Sequence, residues 1–223
     1  MSQLSRFLNS IQKKYNEAKK VYVKERVANY VIRGRGKNIA SESEDLFAKL
    51  LWRVFSLKTI YIFVDQPISL VGNSKTYYPD IAICHKIDKN NYEIIYMIDL
   101  KMDVGWLRNS FIKHAKELNK ICNEMKKSNN LKGKLRDDAG EKNSYKFSIK
   151  QCASYDMVII SSRNSGKPNN EEKMKSMSHN KDMNLWVLSS GEHPNHITKL
   201  KYIKPHENDW KMLTEKIKKA IVE

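Results

Sequence analysis

The sequence predicts an α/β domain in which helices flank a central mixed sheet. Three observations predict it. Four segments repeat apolar residues at helical spacing, five shorter runs are rich in β-branched and aromatic residues, and the core runs follow one another as helix, three strands, helix, strand. A chain of 223 residues can bury one sizeable core, so we take residues 1–223 as one domain.

The first helical pattern covers residues 3–31. Leu4, Phe7, Leu8, Ile11, Tyr15 and Ala18 share a face among Lys13, Lys14, Lys19 and Lys20, and the basic stretch Arg33-Gly34-Arg35-Gly36-Lys37 follows. That stretch suits either phosphate contact or a solvated linker. Ser41 stands three residues before Glu44, the spacing of a capping box, and Phe47, Leu50, Leu51, Val54 and Phe55 continue a helix over about 42–57. Strand-like runs come next at 59–64, extending toward Val71, then at 77–85 and 92–101. Gly72-Asn73-Ser74 and Asp88-Lys89-Asn90-Asn91 between them read as the turns of two consecutive hairpins.

A helix over about 106–125 uses Leu107, Phe111, Ala115, Leu118, Ile121, Cys122 and Met125. The polar, lysine-rich residues 127–146 read as a mobile excursion. Runs at 155–161 and 184–189 read as buried strands around a polar loop, and a last helix at 207–222 presents Trp210, Leu213, Ile217 and Ile221.

Lysine plus arginine outnumber aspartate plus glutamate 41 to 25, a formal charge of +16 that favours a polyanionic partner over a neutral one. Nucleic acid is the commonest polyanion. No run reaches the roughly 20 apolar residues of a spanning helix, and the first residues show no signal-peptide core, so we expect a cytoplasmic protein without a membrane partner. Cys84, Cys122 and Cys152 are too widely spaced for a thiolate zinc site and read as reduced, with Cys84 in the core.

Charges inside apolar strands need a reason. Asp80 interrupts Tyr77-Tyr78-Pro79-Asp80-Ile81-Ala82-Ile83, and Asp99 and Lys101 interrupt Ile95-Tyr96-Met97-Ile98-Asp99-Leu100-Lys101. Side chains alternate along a strand, so Asp99 and Lys101 project from one face and Leu100 from the other. An antiparallel neighbour carrying Asp80 brings that carboxylate to the same place. Carboxylates crowded out of water stay ionised most readily around a hard divalent cation, and Mg²⁺ fits best. Such an ion polarises a phosphate while a nearby ammonium offsets transition-state charge. The plainer reading is an exposed Asp99–Lys101 ion pair, which contributes little.

Pro79-Asp80 followed by Asp99-Leu100-Lys101, behind an acidic helix, resembles the PD-(D/E)xK nuclease superfamily with its restriction-endonuclease-like αβββαβ core. The resemblance covers roughly residues 40–162. It implies that Asp80 and Asp99 bind metal, that the Leu100 carbonyl adds a ligand and that Lys101 acts at the phosphate. It further implies a glutamate from the first core helix. Both Glu42 and Glu44 are available; Glu44 shares the more apolar stripe and is preferred, although a first-turn acid needs only the helix dipole to justify it. The resemblance thus implies a Mg²⁺-dependent endonuclease, with Mn²⁺ as substitute, acting on double-stranded DNA in restriction, defence or repair, in some relatives as a homodimer. An RNA or branched-DNA nuclease, or a non-catalytic binding module, would share the fold.

Other candidates are weaker. Ser165-Gly166-Lys167 lacks the upstream glycine of a phosphate loop. His193 and His196 lack a companion carboxylate or cysteine pattern, and Asp103 suits a helix cap near Gly105.

Overall fold

The computed structural model describes residues 1–18, 39–55, 58–103, 111–136, 142–163, 184–195 and 202–223. Helix α1 (Gln3–Ala18) buries Leu4, Phe7, Leu8 and Ile11, an i, i+3, i+4, i+7 stripe, and the Ser2 hydroxyl accepts the Ser5 N–H at 3.0 Å as an N-terminal cap. The expected continuation to residue 31 and the basic stretch at 33–37 lie outside the described residues. Helix α2 (Ala40–Phe55) buries Phe47, Ala48, Leu50, Leu51 and Phe55. It begins a residue before Ser41, so Ser41 does not cap it and the expected capping box is absent.

Strands β1 (Ile60–Val64), β2 (Ile68–Leu70), β3 (Thr76–Tyr77), β4 (Ile81–Lys86) and β5 (Asn91–Lys101) follow. The expected extension of β1 toward Val71 is broken at Asp65, whose φ of 47° turns the chain, and at Pro67, which cannot donate to a ladder. Gly72 accordingly turns the small β2–β3 hairpin, while β1 pairs with β4, and β4 with β5, all antiparallel.

Helix α3 (Phe111–Ser128) leads into β6 (Leu131–Arg136) and the 18-residue β7 (Lys142–Ile159). The excursion expected at 127–146 therefore holds a helix end and two paired strands. Its β pattern is real but disguised: Leu131 and Gly133 are buried and Lys132 and Lys134 exposed, an alternation that lysine content masks. Strand β7 also starts well before residue 155. It runs parallel to β5 from Asn91↔Lys146 to Lys101↔Ile159, with three extra residues of β7 accommodated between Ile94↔Ile149 and Tyr96↔Ser154. Short strands β8 (Leu185–Val187), β9 (Ser189–Gly191) and β10 (Ile203–Pro205) precede helix α4 (Glu207–Val222).

The mixed sheet runs β1-β4-β5-β7-β6-β2-β3, with β8 beside the end of β7. Five strand spacings separate β1 from β2, about 24 Å if the sheet were flat. Only residues 65–67 connect them, a reach of at most about 14 Å. The sheet must therefore curl, and Phe63, Tyr92 and Phe147 fill the concavity with ring centroids 4.9–5.9 Å apart. On that side Ala115, Leu118, Cys122 and Met125 of α3 complete one core. On the other, α1, α2 and α4 cover Ile81, Ile83, Tyr96, Ile98 and Leu100. Among the described residues no helix is long and apolar enough to cross a membrane.

One polar group crosses this second core. Asp156 of β7 is fully buried and accepts from the Tyr96 hydroxyl, the Ser154 hydroxyl, Trp186 Nε1 at 2.6 Å and Lys216 Nζ at 2.8 Å. It ties α4 to β5, β7 and β8. Asp156→Ala strands Lys216, Tyr96 and Trp186 together and is expected to lower stability by about 3 kcal/mol. Tyr96→Phe, which removes one donor, should cost about 1 kcal/mol. Urea denaturation of both variants distinguishes this network from an incidental contact, for which the two losses would be equal and small.

Candidate active site

Sheet register builds the site. Ile81 opens β4 opposite Ile98 of β5, so the preceding residue, Asp80, lies level with the C-terminal end of β5. Along β5, Leu100 turns into the core under α2, while Asp99 and Lys101 turn to the α3 side, the face that Met97 also occupies. The Leu100 N–H donates to Asp80 Oδ2 at 2.7 Å. Lys101 Nζ lies 3.0 Å from Asp99 Oδ1 and 3.5 Å from Asp80 Oδ2, between the two carboxylates. A strand residue's N–H and C=O leave the backbone on the same side, so the Leu100 carbonyl also faces the Asp80 side.

His114, in the first turn of α3, was not anticipated from the sequence. Its Nε2 lies 3.2 Å from Asp99 Oδ2; an ionised carboxylate only accepts, so Nε2 carries the hydrogen. Asp99 is thus held through both oxygens. The signal available beforehand was weak, a histidine one helical turn into a segment otherwise studded with lysine.

Glu42 and Glu44 separate clearly. Glu42 is exposed and reaches across to Lys14 of α1 at 3.5 Å. Glu44 is half-buried, and burial with the charges of Asp80 and Asp65 pushes its carboxyl up to about 7. Asp80 is also raised, by burial and by Asp99, against the opposing pull of Lys101. Asp99 moves the other way: burial opposes its ionisation, but the His114 hydrogen bond and the Lys101 charge outweigh that penalty. Lys101 itself is raised, because the two aspartates overcome its desolvation. Beneath them the Tyr155 hydroxyl of β7 is pushed up by burial and by Asp99 and Asp80. The cluster therefore holds more negative charge than Lys101 offsets. Among the described residues, no three ligating side chains already converge on one point.

The helix opening near Gly105 that Asp103 is expected to cap lies outside the described residues. The Asp103 carboxylate lies 3.1 Å from Nε2 of His193, which is fully buried and packs edge-on against Tyr15. His193 therefore does have a carboxylate neighbour, supplied by a distant segment. Residues 165–167 and His196 lie outside the described residues. Compared with protein-family models, curated proteins and solved structures, the chain matches none.

The raised Glu44 carboxyl has a sign that can be tested. The folded state holds this proton more tightly than the unfolded chain, whose carboxyl titrates near the ordinary 4.5, so its contribution falls as pH climbs to about 7 and is flat above. Glu44→Gln removes that dependence. In metal-free buffer, the urea midpoint of the wild type should drop relative to Glu44→Gln between pH 5 and pH 8; parallel pH profiles would show that the Glu44 carboxyl is not raised in the folded state.

Proposed function

We propose that this chain is a metal-dependent nuclease of the PD-(D/E)xK type. The observation that carries the reading is the meeting of Asp80, Asp99 and Lys101 within 3.0–3.5 Å at the end of adjacent strands, beside a Glu44 that already feels Asp80. The succession α2, β1, β4, β5, α3, β7, with β5 and β7 parallel, supports a restriction-endonuclease-like core. The β2–β3 and β6 strands are then insertions on that core.

The donor set fits a hard cation. Asp80, Asp99, Glu44 and the Leu100 carbonyl are all oxygen ligands, the preference of Mg²⁺ and of Mn²⁺ as its substitute. Excess negative charge at the cluster is what such an ion relieves. When bound, the ion polarises the scissile phosphate and offsets charge on the leaving oxygen. The protein's own groups supply the rest. His114 fixes the Asp99 carboxylate, and the Leu100 N–H fixes that of Asp80. Lys101 Nζ, half-exposed at the mouth of the site, donates to a non-bridging phosphate oxygen as charge develops there.

Double-stranded DNA, endonucleolytic cutting in restriction, defence or repair, and action as a homodimer come with this reading. The +16 charge supports a nucleic-acid substrate. Free Cys84, Cys122 and Cys152 accord with the reducing cytoplasm.

Cleavage of supercoiled, linear and single-stranded DNA with Mg²⁺, Mn²⁺ or EDTA tests the proposal. Cutting should require the metal and fall by about 10²–10³-fold in Lys101→Ala, and at least as far in Asp99→Ala. DNA binding that persists without any cutting, unchanged in both variants, would identify a non-catalytic module instead.

A further inference from the structure

Away from the carboxylates, two grooves open side by side along α2. One, about 530 Å³, runs between α2 and the edge strand β1 and is lined by Lys49 and Trp52 from the helix and by Lys58, Ile60 and Ile62 from the strand side. The other, about 160 Å³, runs between α1 and α2 and includes Arg6, Lys49 and Arg53. Lys49 lines both, so they share a wall. Among the described residues every charged side chain lining them is basic.

Trp52 is 60% exposed, although tryptophan is among the residues most deeply buried on average. Its exposed indole lines the groove together with Lys49 and Lys58. Tyr61, in the same edge strand, is already engaged, with its ring 5.5 Å from Tyr92 and Lys86 placed over it at 5.2 Å. The available π surface therefore belongs to Trp52.

The lining chooses among occupants. A second copy pairing through the β1 edge would bring Lys49 and Lys58 against their own counterparts, and edge lysines of this kind oppose such association. A blunt duplex neutralises lysines but keeps its base faces stacked inside. A single strand offers both dense phosphate charge and free base faces, the combination that lysine-flanked aromatic platforms hold.

We propose that the Lys49–Trp52–Lys58 groove is a binding site for single-stranded nucleic acid, with a base stacked on Trp52 and its phosphates on the two lysines. This deepens the nuclease reading and rests on it for its role. Trp52 lies eight residues along α2 from Glu44, about 12 Å of helix, and Ile60 lies four residues from Val64, the partner of Ile81 next to Asp80. A strand that passes Glu44 and follows α2 reaches the indole within a few nucleotides. The substrate class is thus nucleic acid with a single-stranded segment flanking the cut, such as a tail, flap or opened end.

Fluorescence anisotropy of a labelled short oligothymidylate and of a blunt duplex, both in EDTA, tests this without any cleavage. Trp52→Ala should weaken oligothymidylate binding about ten-fold, and Trp52→Phe should retain most of it. The duplex should change less than two-fold. Lys49→Ala/Lys58→Ala should lower the slope of log affinity against log salt by about 1.4 on the single strand. Unchanged oligothymidylate binding by Trp52→Ala, or an equal loss on the duplex, overturns the inference. So does a dimer-to-monomer shift of Trp52→Ala in sedimentation velocity, which would assign the groove to a second copy. A chain that never cuts DNA but shows the Trp52 effect refutes only the nuclease reading; one that cuts without the effect refutes only this site.

Discussion

Everything in this molecule is arranged around the burial of β5. The strand is paired on both edges, antiparallel to β4 and parallel to β7, and covered on both faces by the two cores. From Ile94 to Ile98 every side chain is fully buried, so this stretch can carry no charge. Charge is tolerated toward the ends of the strand, at the part-exposed Glu93 and, beyond the edge of β4, at Asp99 and Lys101. Even there, Asp99 keeps only 9% of its side chain exposed and needs both Lys101 and His114 to remain ionised. The position of the site is thus a consequence of where the central strand can afford polarity.

The curl of the sheet distributes the remaining surfaces. Residues 65–67 are too few to let β1 and β2 lie at opposite edges of a flat sheet, so the β2–β3 and β6 strands fold over the α3 side. Gly133 sits at the closest approach: a Cβ there would stand 2.7 Å from the Phe147 ring and 2.8 Å from the Gln66 amide. The opposite side is closed by helices, with Asp156 joining α4 to three strands from within. What that closure leaves open is the outer edge of β1, and with it the groove beneath Trp52.

The sequence carried much of this. Strong periodicity marked α1, α2 and α4, and the charges at Asp80, Asp99 and Lys101 stood out because their neighbours are apolar. Strand alternation alone was enough to put Asp99 and Lys101 on one face. Pairings between distant segments were less legible. The lysines of Leu131-Lys132-Gly133-Lys134 hid a strand, because solvent-facing charge on an edge-near ribbon resembles a loop. His114 and the Asp103–His193 contact depend on where α3 and the turn after β9 dock, which local pattern does not encode. Asp156 was read simply as part of an apolar strand; its role appears only once Tyr96, Trp186 and Lys216 arrive from three other elements.

On the proposed reading, the two charge regimes of the molecule depend on each other. The carboxylate cluster repels a phosphate backbone, whereas the Lys49–Lys58 side attracts it, and the +16 charge ensures that attraction dominates at a distance. Approach then rests on the basic surface, whereas a phosphate is disfavoured by the carboxylate cluster itself. Within it, Glu44 near pH 7 is divided between a neutral form that tolerates Asp80 and an ionised form that does not. Asp80, Asp99, Glu44 and the Leu100 carbonyl would hold a divalent cation there, and its charge would favour the ionised carboxylates together. Lys101, bonded to both aspartates and partly exposed, would be the group placed to donate to a phosphate there.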